Sequence, residues 1–282
     1  MLSVPTAGAR PDNVVGMATI RPAAVAGEFY PADPRELRAC VKRRLSAEPS
    51  TEISIRPTML IVPHAGYVYS GPIAAYAYRL LKATTGLARR VVLLGPSHFA
   101  VFAGLATPGA EALATPLGLV PVDRELTSTA EAFAVVAPGP AAHAREHSLE
   151  VQLPFLQVAL GEFTTLALVT GDVAPEAVAE VLDQAIDAPG VIGVISSDLS
   201  HYLDYDTARR RDARTAEAIT GLRPEDLARD DACGRIAVQA ALLLAKRRGW
   251  SCRLLALGNS GDTAGSLDRV VGYGAFAVGP EI

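Results

Sequence analysis

The sequence contains few cysteines and no long hydrophobic run. Its three cysteines, Cys40, Cys233 and Cys252, cannot form a disulfide framework in a chain of 282 residues, which favours a reducing compartment such as the cytoplasm. No apolar run approaches the ~20 residues that span a bilayer, and no signal peptide is recognisable, so we expect no membrane association. Basic residues are not in excess either: 26 Lys and Arg stand against 30 Asp and Glu, which argues against nucleic acid as a partner.

The apolar content is high enough for a large folded core. Half of the residues are hydrophobic and 20% are charged. Residues 1–19 have mixed polarity and little periodicity, which predicts a loosely ordered N-terminal arm. Between residues 20 and 282 no low-complexity linker or repeat interrupts the chain. We therefore predict a single domain over residues 20–282.

Short, uniformly apolar segments alternate with amphipathic segments throughout this region. We predict strands at 58–62, 91–94, 166–170, 191–195, 252–257 and near 270–278, and a β-turn-β excursion at 114–122. One helix is predicted to begin at Pro34, and others to span about 70–82, 147–160, 175–186, 206–219 and 234–247. In the helix at 147–160, Pro154 either introduces a kink or marks the true start. The pattern predicts an α/β fold with a mostly parallel central sheet covered by helices on both faces.

Three of the five histidines come directly after a predicted buried strand. His64, His98 and His201 follow the strands that end near 62, 94 and 195, and a fourth strand leads into the loop Gly258–Asp262. A single histidine in such a place is usually a hydrogen-bonded loop residue. In a parallel sheet, however, the carboxyl ends of the strands lie along one edge, where ligands bind. Three histidines at equivalent positions therefore predict a shared site.

Two further features bear on this site. His147 lies beside Glu146 at a predicted helix start, where it is either a fourth contributor or part of a capping sequence, whereas His143 is expected at the surface. Cys233 precedes an apolar helix, and the N-terminus of a helix favours the thiolate form of a cysteine. Three roles are open for Cys233: a metal ligand, a nucleophile or a residue of the helix cap. Two histidines with an anionic ligand are typical of non-haem iron sites, and a His/His/Cys set also suits zinc.

Several motifs together make the chain resemble the Memo family, whose prokaryotic members are often called AmmeMemoRadiSam system protein B. The motifs are RPA from Arg21, PHAGYVYSG from Pro63, LGPSH from Leu94, EHSLEVQLPFLQ from Glu146, SSDLSHY from Ser196, CGR from Cys233, GNSGD from Gly258 and VVGYGAFA from Val270. They occur in one order over roughly residues 20–278. The resemblance implies a three-layer sandwich similar to class III extradiol (LigB-like) dioxygenases.

The same resemblance implies a metal site and roles for its neighbours. Carried over by motif, the ligands of iron or copper are His64, His98 and Cys233. His201 takes the place of an acid/base histidine, and His147 and Asp198 are further candidate catalytic groups. Residues expected to line the substrate pocket are Tyr67, Glu146, Ser197 and Asn259. A cysteine in place of the carboxylate ligand of extradiol dioxygenases puts ring-cleaving chemistry in question for this family.

Three functions are compatible with these features. The first is a dioxygenase-like oxidoreductase that uses Fe(II), with copper or zinc as alternatives, on a small phenolic substrate. The second is a binding or adaptor module that accepts a peptide in the same cleft, or an anion through Arg21, Arg235 and helix N-termini. The third is a zinc-dependent hydrolase with His201 or Glu146 as the base. The oligomeric state is open, and an oligomer is compatible with the sequence.

Overall fold

The computed structural model describes residues 19–46, 53–81 and 89–282, so the predicted N-terminal arm lies almost entirely outside the described residues. The helices are α1 Pro34–Ser46, α2 Gly71–Leu80, α3 Arg124–Glu131, α4 Pro140–Ala144, α5 Leu153–Leu160, α6 Pro175–Ile186, α7 Tyr205–Thr220 and α8 Arg235–Arg247. The strands are β1 Ile20–Arg21, β2 Met59–Val62, β3 Arg90–Pro96, β4 Leu105–Thr107, β5 Ala112–Thr115, β6 Gly118–Pro121, β7 Val136–Pro138, β8 Thr164–Thr170, β9 Val191–Ser196, β10 His201–Leu203, β11 Ser251–Asn259 and β12 Val270–Gly279.

The predicted α/β class is confirmed, but the large sheet is mixed rather than mostly parallel. In the described part of the chain its order is β10-β12-β2-β9-β3-β8-β4-β7, with β11 paired to β12, and β1-β5-β6 form a small second sheet. The central strands β2, β9, β3 and β8 are parallel, whereas β12 is antiparallel to β2, β10 and β11. The turn between β11 and β12 is too short for a helical crossover, which forces antiparallel pairing.

Helices cover both faces of the sheet, as the apolar strands predict. In β2, Leu60 and Val62 pack into one core cluster with Leu37 of α1, whereas Met59 and Ile61 pack into a second cluster with Leu182 of α6. Successive side chains of a strand point to opposite faces, so a strand between two helical layers must be apolar at every position. The result is the three-layer sandwich. Among the described residues, no helix is long and apolar enough to cross a membrane.

The strand directions bring several loops to one edge of the sheet. The strands β2, β3 and β9 are parallel, so the segments that follow them begin side by side. The strand β11 runs in the same direction as β2, because both are antiparallel to β12. This edge carries the candidate site.

Candidate metal centre

Three histidines meet at this edge. His64 follows β2, His98 follows β3 and His147 lies ahead of α5; each offers one ring nitrogen, and these nitrogens all lie within 4.8 Å of one another. The rings of His98 and His147 stack with centroids 4.6 Å apart, and the ring of His64 stands 5.2 Å from that of His98. His64 is buried, whereas the His98 side chain is 27% exposed. The cluster is therefore anchored in the core and open to solvent on the His98 side.

The orientation of His98 is set by Glu146. One carboxylate oxygen of Glu146 accepts from the His98 backbone N–H at 2.6 Å, and the other lies 2.9 Å from His98 Nδ1. The Ser148 N–H holds that second oxygen at 2.8 Å. An ionised carboxylate can only accept, so Nδ1 of His98 donates to it, and Nε2 is the ring nitrogen left to act as a ligand. Imidazoles that ligate metals are commonly oriented in this way.

His64 is oriented by a chain of buried hydroxyl and amide groups. Ser196 Oγ donates to the Ser148 carbonyl at 2.6 Å and accepts from Gln152 Nε2 at 2.7 Å. His64 Nδ1 lies 2.9 Å from the same hydroxyl oxygen. The single hydroxyl proton is already used, so Nδ1 must donate, and Nε2 of His64 is left as the ligand atom.

The protonation states suit metal binding at neutral pH. Burial and the neighbouring imidazoles His98 and His147 hold the pKa of His64 well below its usual value. Burial, with His98, also lowers the pKa of His147 to about 4. Burial opposes ionisation of Glu146, but hydrogen bonds from His98 and Ser148 outweigh it and lower the Glu146 pKa to about 2. The buried imidazoles are thus neutral and the carboxylate charged.

Cys233 lies at the flank of the cluster. Its Sγ is 3.3 Å from Nε2 of His64 and accepts from the Asp198 N–H at 3.3 Å. The expectation that a helix N-terminus favours the thiolate is wrong for the metal-free protein, because burial and the Asp198 charge raise the Cys233 pKa to about 12. Ligand atoms bound to one ion at bond lengths of ~2.0 and ~2.3 Å lie roughly this far apart. Ligation by Cys233 stays a prediction.

Asp198, Ser197 and His201 lie around the same centre. Asp198 is buried, accepts from the His64 N–H at 2.7 Å, and has its pKa raised by burial to about 7. Ser197 Oγ accepts from the Gly234 N–H at 2.9 Å beside Cys233. His201 begins β10 half-buried, and burial lowers its pKa. The roles predicted for these residues remain predictions.

Two residues predicted to line the substrate pocket, Tyr67 and Asn259, make hydrogen bonds outside the histidine cluster. Tyr67 is buried in the core, where its hydroxyl donates to the Val151 carbonyl at 2.7 Å. Asn259 accepts from the Gly261 N–H at 2.8 Å and lines a different cleft, beside Tyr205. The expectation that His143 lies at the surface is wrong: it is 3% exposed, with Nε2 2.8 Å from the Ala106 carbonyl oxygen. Burial lowers its pKa to about 4.

A buried ion pair behind the cluster was not predicted from the sequence. Arg21 is 8% exposed and pairs with Glu150, and its guanidinium also donates to the backbone carbonyls of His143 and Glu146. Arg21 is therefore unavailable to an external anion, which corrects that part of the adaptor hypothesis. The only indication of this ion pair in the sequence was the motif that contains Arg21. The partner, Glu150, lies 129 positions further along the chain.

Comparison with known proteins places these residues in a family. A family model described as Memo-like protein matches residues 21–277. A MEMO1 family protein of Methanopyrus kandleri is 37% identical over 279 residues, which cover 91% of this chain and 98% of the relative. MEMO1 family proteins of Aquifex aeolicus and Thermotoga maritima are 35% and 37% identical over 90% of this chain and 97% of each relative.

Proposed function

This chain belongs to the Memo-like family, and we propose that it is a metal-dependent oxidoreductase that acts on a small phenolic substrate. The observation that carries the proposal is the convergence of ligand nitrogens from His64, His98 and His147 within 4.8 Å. Cys233, whose sulfur lies 3.3 Å from His64 Nε2, is proposed to join them as the anionic ligand.

The donor set fits a first-row transition metal. Imidazole suits iron, copper and zinc, and a thiolate adds negative charge that stabilises a divalent ion. A bound ion drives off the thiol proton, so the high pKa of Cys233 in the metal-free protein does not prevent ligation. Fe(II) is proposed first, because the family resemblance points to iron or copper. Such an ion would supply Lewis acidity and one-electron chemistry at the cleft.

The surrounding residues would orient the ligands and handle protons. Glu146 accepts from His98 Nδ1, which leaves Nε2 of His98 as the nitrogen that would hold the ion. Asp198, with a pKa near 7 in the metal-free protein, can hold or release a proton beside the His64 backbone N–H. His201 is largely neutral at pH 7, because burial lowers its pKa, and it can accept a proton from a phenolic hydroxyl group.

One observation favours a second function. Three imidazoles are also the ligand set of catalytic zinc sites that activate water. A zinc-dependent hydrolase with Glu146 or His201 as the base would use the same cluster. The metal found in protein purified without added metal distinguishes the two.

The test combines metal content with turnover. Protein purified under anaerobic conditions is analysed for iron, copper and zinc, loaded with Fe(II), and assayed for oxygen uptake with catechols and related phenols. The variants His98→Ala, His147→Ala and Cys233→Ser report on ligation. The variant His143→Gln is the control, because His143 is a buried histidine outside the cluster.

We expect about one metal ion per chain in the wild type and in His143→Gln, and loss of the ion in His98→Ala. Oxygen uptake above that of His98→Ala supports the oxidoreductase. Equal metal content in His98→Ala and in the wild type contradicts the metal site. If binding to a partner survives both the removal of metal and the substitution His201→Ala, the adaptor function is favoured. Zinc alone, without oxygen uptake, favours the hydrolase.

A further inference from the structure

The backbone at Tyr202 has a conformation that residues with a side chain rarely adopt. Its φ angle is 59°, in the left-handed region, and among the described residues Leu222 is the one other non-glycine residue with a positive φ. The left-handed conformation brings the Cβ atom too close to a neighbouring carbonyl oxygen, so it costs free energy for every residue except glycine. A bulky side chain at such a position calls for a compensating role.

Tyr202 is the extra residue of a β-bulge. In the pairing of β10 with β12, His201 lies opposite Val271 and Leu203 lies opposite Val270, so two steps along β10 match one step along β12. One common type of bulge holds a glycine in the left-handed conformation, and bulges re-aim the side chains around them. Successive side chains of a regular strand point to opposite faces, whereas here the rings of His201 and Tyr202 contact each other with centroids 5.8 Å apart. The bulge therefore brings the two rings together.

Packing in the core does not compensate for the strained backbone of Tyr202. The residue is 63% exposed, so its ring contributes little to the core. The guanidinium of Arg269 lies over the Tyr202 ring, 5.0 Å from its centroid, and restrains the position of the ring. Strained residues of this kind cluster at catalytic and ligand-binding sites, where the strain places a functional group.

Tyr202 lies beside the histidine cluster. The segment between β9 and β10 passes the cluster at Asp198, which accepts from the His64 N–H at 2.7 Å and donates its own N–H to the Cys233 sulfur at 3.3 Å. His201 follows three residues later and is close enough for its charge to lower the pKa of His64. His201 is half-buried, whereas the Tyr202 ring that contacts it is open to solvent. A ligand between His201 and the solvent would meet this ring.

We propose that Tyr202 is a specificity-determining residue whose ring packs against the aromatic ring of the substrate, while His201 meets the substrate hydroxyl group. Aromatic rings prefer offset or edge-to-face contacts with one another, and such contacts add to the free energy gained by burying their surfaces. The bulge places the Tyr202 ring and Arg269 restrains it. This proposal rests on the proposed function for the identity of the ligand as a phenolic substrate. The binding of an aromatic ring at Tyr202 depends on neither metal nor turnover.

The experiment compares an aromatic diol with a non-aromatic one. Chelator-treated full-length protein is titrated with catechol and, separately, with its saturated analogue, a cyclohexane diol, and the dissociation constants are measured by ligand-observed NMR. The variants Tyr202→Gly and Tyr202→Asn remove the ring but suit the backbone, because glycine and asparagine tolerate the left-handed conformation. Tyr202→Phe keeps a ring. The control is Leu222→Gly, at the other left-handed residue, which packs against the second core cluster.

We expect the wild type to bind catechol more tightly than the saturated diol. Tyr202→Gly and Tyr202→Asn should bind catechol about tenfold more weakly, because they lose an aromatic contact and the ring surface buried with it. Tyr202→Phe and Leu222→Gly should bind catechol as the wild type does. The variants without a ring should melt close to or above the wild-type temperature, because the ring lies outside the core.

The proposal is overturned if catechol binds no more tightly than the saturated diol, or if the variants without a ring keep wild-type affinity for catechol. A loss of affinity in Tyr202→Phe as large as that in Tyr202→Gly would also overturn it, since the hydroxyl group would then act instead of the ring. If both variants without a ring melt far below the wild type, the ring serves the fold and the proposal is wrong. Catechol binding that depends on Tyr202, in a protein that holds no metal, would contradict the proposed function alone.

Discussion

At the scale of single residues, Glu150 connects the start of the described domain to the histidine cluster. Its carboxylate pairs with Arg21 and accepts from the Tyr30 hydroxyl, and it also accepts from the backbone N–H groups of Ala24 at 2.7 Å and Val25 at 3.0 Å. Arg21 in turn holds the carbonyl of Glu146, whose side chain orients His98. The charge of Glu150 is buried and fully hydrogen-bonded, so its partners matter more than those of surface ion pairs.

We expect Arg21→Met to lower the free energy of unfolding by about 3–5 kcal/mol, because it leaves Glu150 buried and uncompensated. Urea unfolding at pH 7 measures the change. Arg124→Met is the matched control, since Arg124 pairs with Glu111 at the surface, where a pair contributes about 1 kcal/mol or less. Equal losses in the two variants would contradict a special role of the buried pair.

At the scale of elements, Pro154 decides where α5 begins. The sequence pattern predicts a helix from His147, with Pro154 as a kink or as the true start. The structure confirms the second alternative: a 3-10 turn covers Glu150–Gln152, and α5 begins at Leu153 with Pro154 in its first turn. A proline is tolerated there because the first-turn N–H groups have no helical partner. His147 consequently lies on irregular backbone.

The strand β12 approaches α7 so closely that one position must be glycine. A Cβ atom at Gly272 would lie 1.9 Å from Oδ2 of Asp212, whose Oδ1 accepts from the Ser200 N–H at 3.0 Å. The Gly272 N–H also donates to the Ser200 carbonyl at 2.8 Å. These contacts hold the backbone immediately before His201.

We expect Gly272→Ala to lower the free energy of unfolding by about 1–3 kcal/mol, because the added methyl group displaces the buried Asp212 side chain. The double variant Gly272→Ala/Asp212→Ala should lose less than the sum of the two single variants, since Ala at 212 vacates the space. Chemical denaturation of all four proteins measures this coupling. Strictly additive losses would mean that the clash is absorbed elsewhere.

At the scale of the whole molecule, burial keeps several histidines neutral. The pKa of His64, of His143, of His147 and of His201 lies below the ordinary value, mainly because each ring is buried. In the unfolded chain each of these groups takes up a proton near pH 6.5. At these four histidines the folded protein therefore binds fewer protons than the unfolded chain between pH 6.5 and about 4, so they lower its stability as the pH falls through this range. Asp198, whose pKa is raised to about 7, acts in the opposite direction.

His143 isolates this effect, because it lies outside the cluster of His64, His98 and His147. Its pKa of about 4 implies that it contributes about 3 kcal/mol to the loss of stability between pH 7 and pH 4. His143→Gln keeps an N–H donor for the Ala106 carbonyl but cannot take up the proton, so the variant should lose correspondingly less stability in acid. Urea unfolding in the presence of a chelator at pH 7, 5 and 4 measures this, and an unchanged slope in the variant would count against a buried neutral His143.

Local sequence patterns were enough to predict the main strands and helices and the meeting of His64 with His98. Both histidines directly follow apolar strands, and parallel neighbouring strands end at one edge whatever their order in the sheet. The direction of β12 and the burial of His143 could not be predicted in the same way. A uniformly apolar strand indicates that both of its faces are buried, but it does not indicate whether the neighbouring strands are parallel or antiparallel to it.

Only the tertiary structure decided that His147 joins the ligand group. The segment that carries His147 is held against the sheet by two hydrogen bonds, from Ser148 Oγ to the Pro96 carbonyl and from Ser196 Oγ to the Ser148 carbonyl. Ser148 and Pro96 are 52 positions apart in the chain, and Ser196 and Ser148 are 48 positions apart. The sequence by itself determined which residues are apolar, charged or able to ligate, because these are properties of single side chains. Which of them share a site depends on contacts between distant segments, and those exist only once the layers have packed.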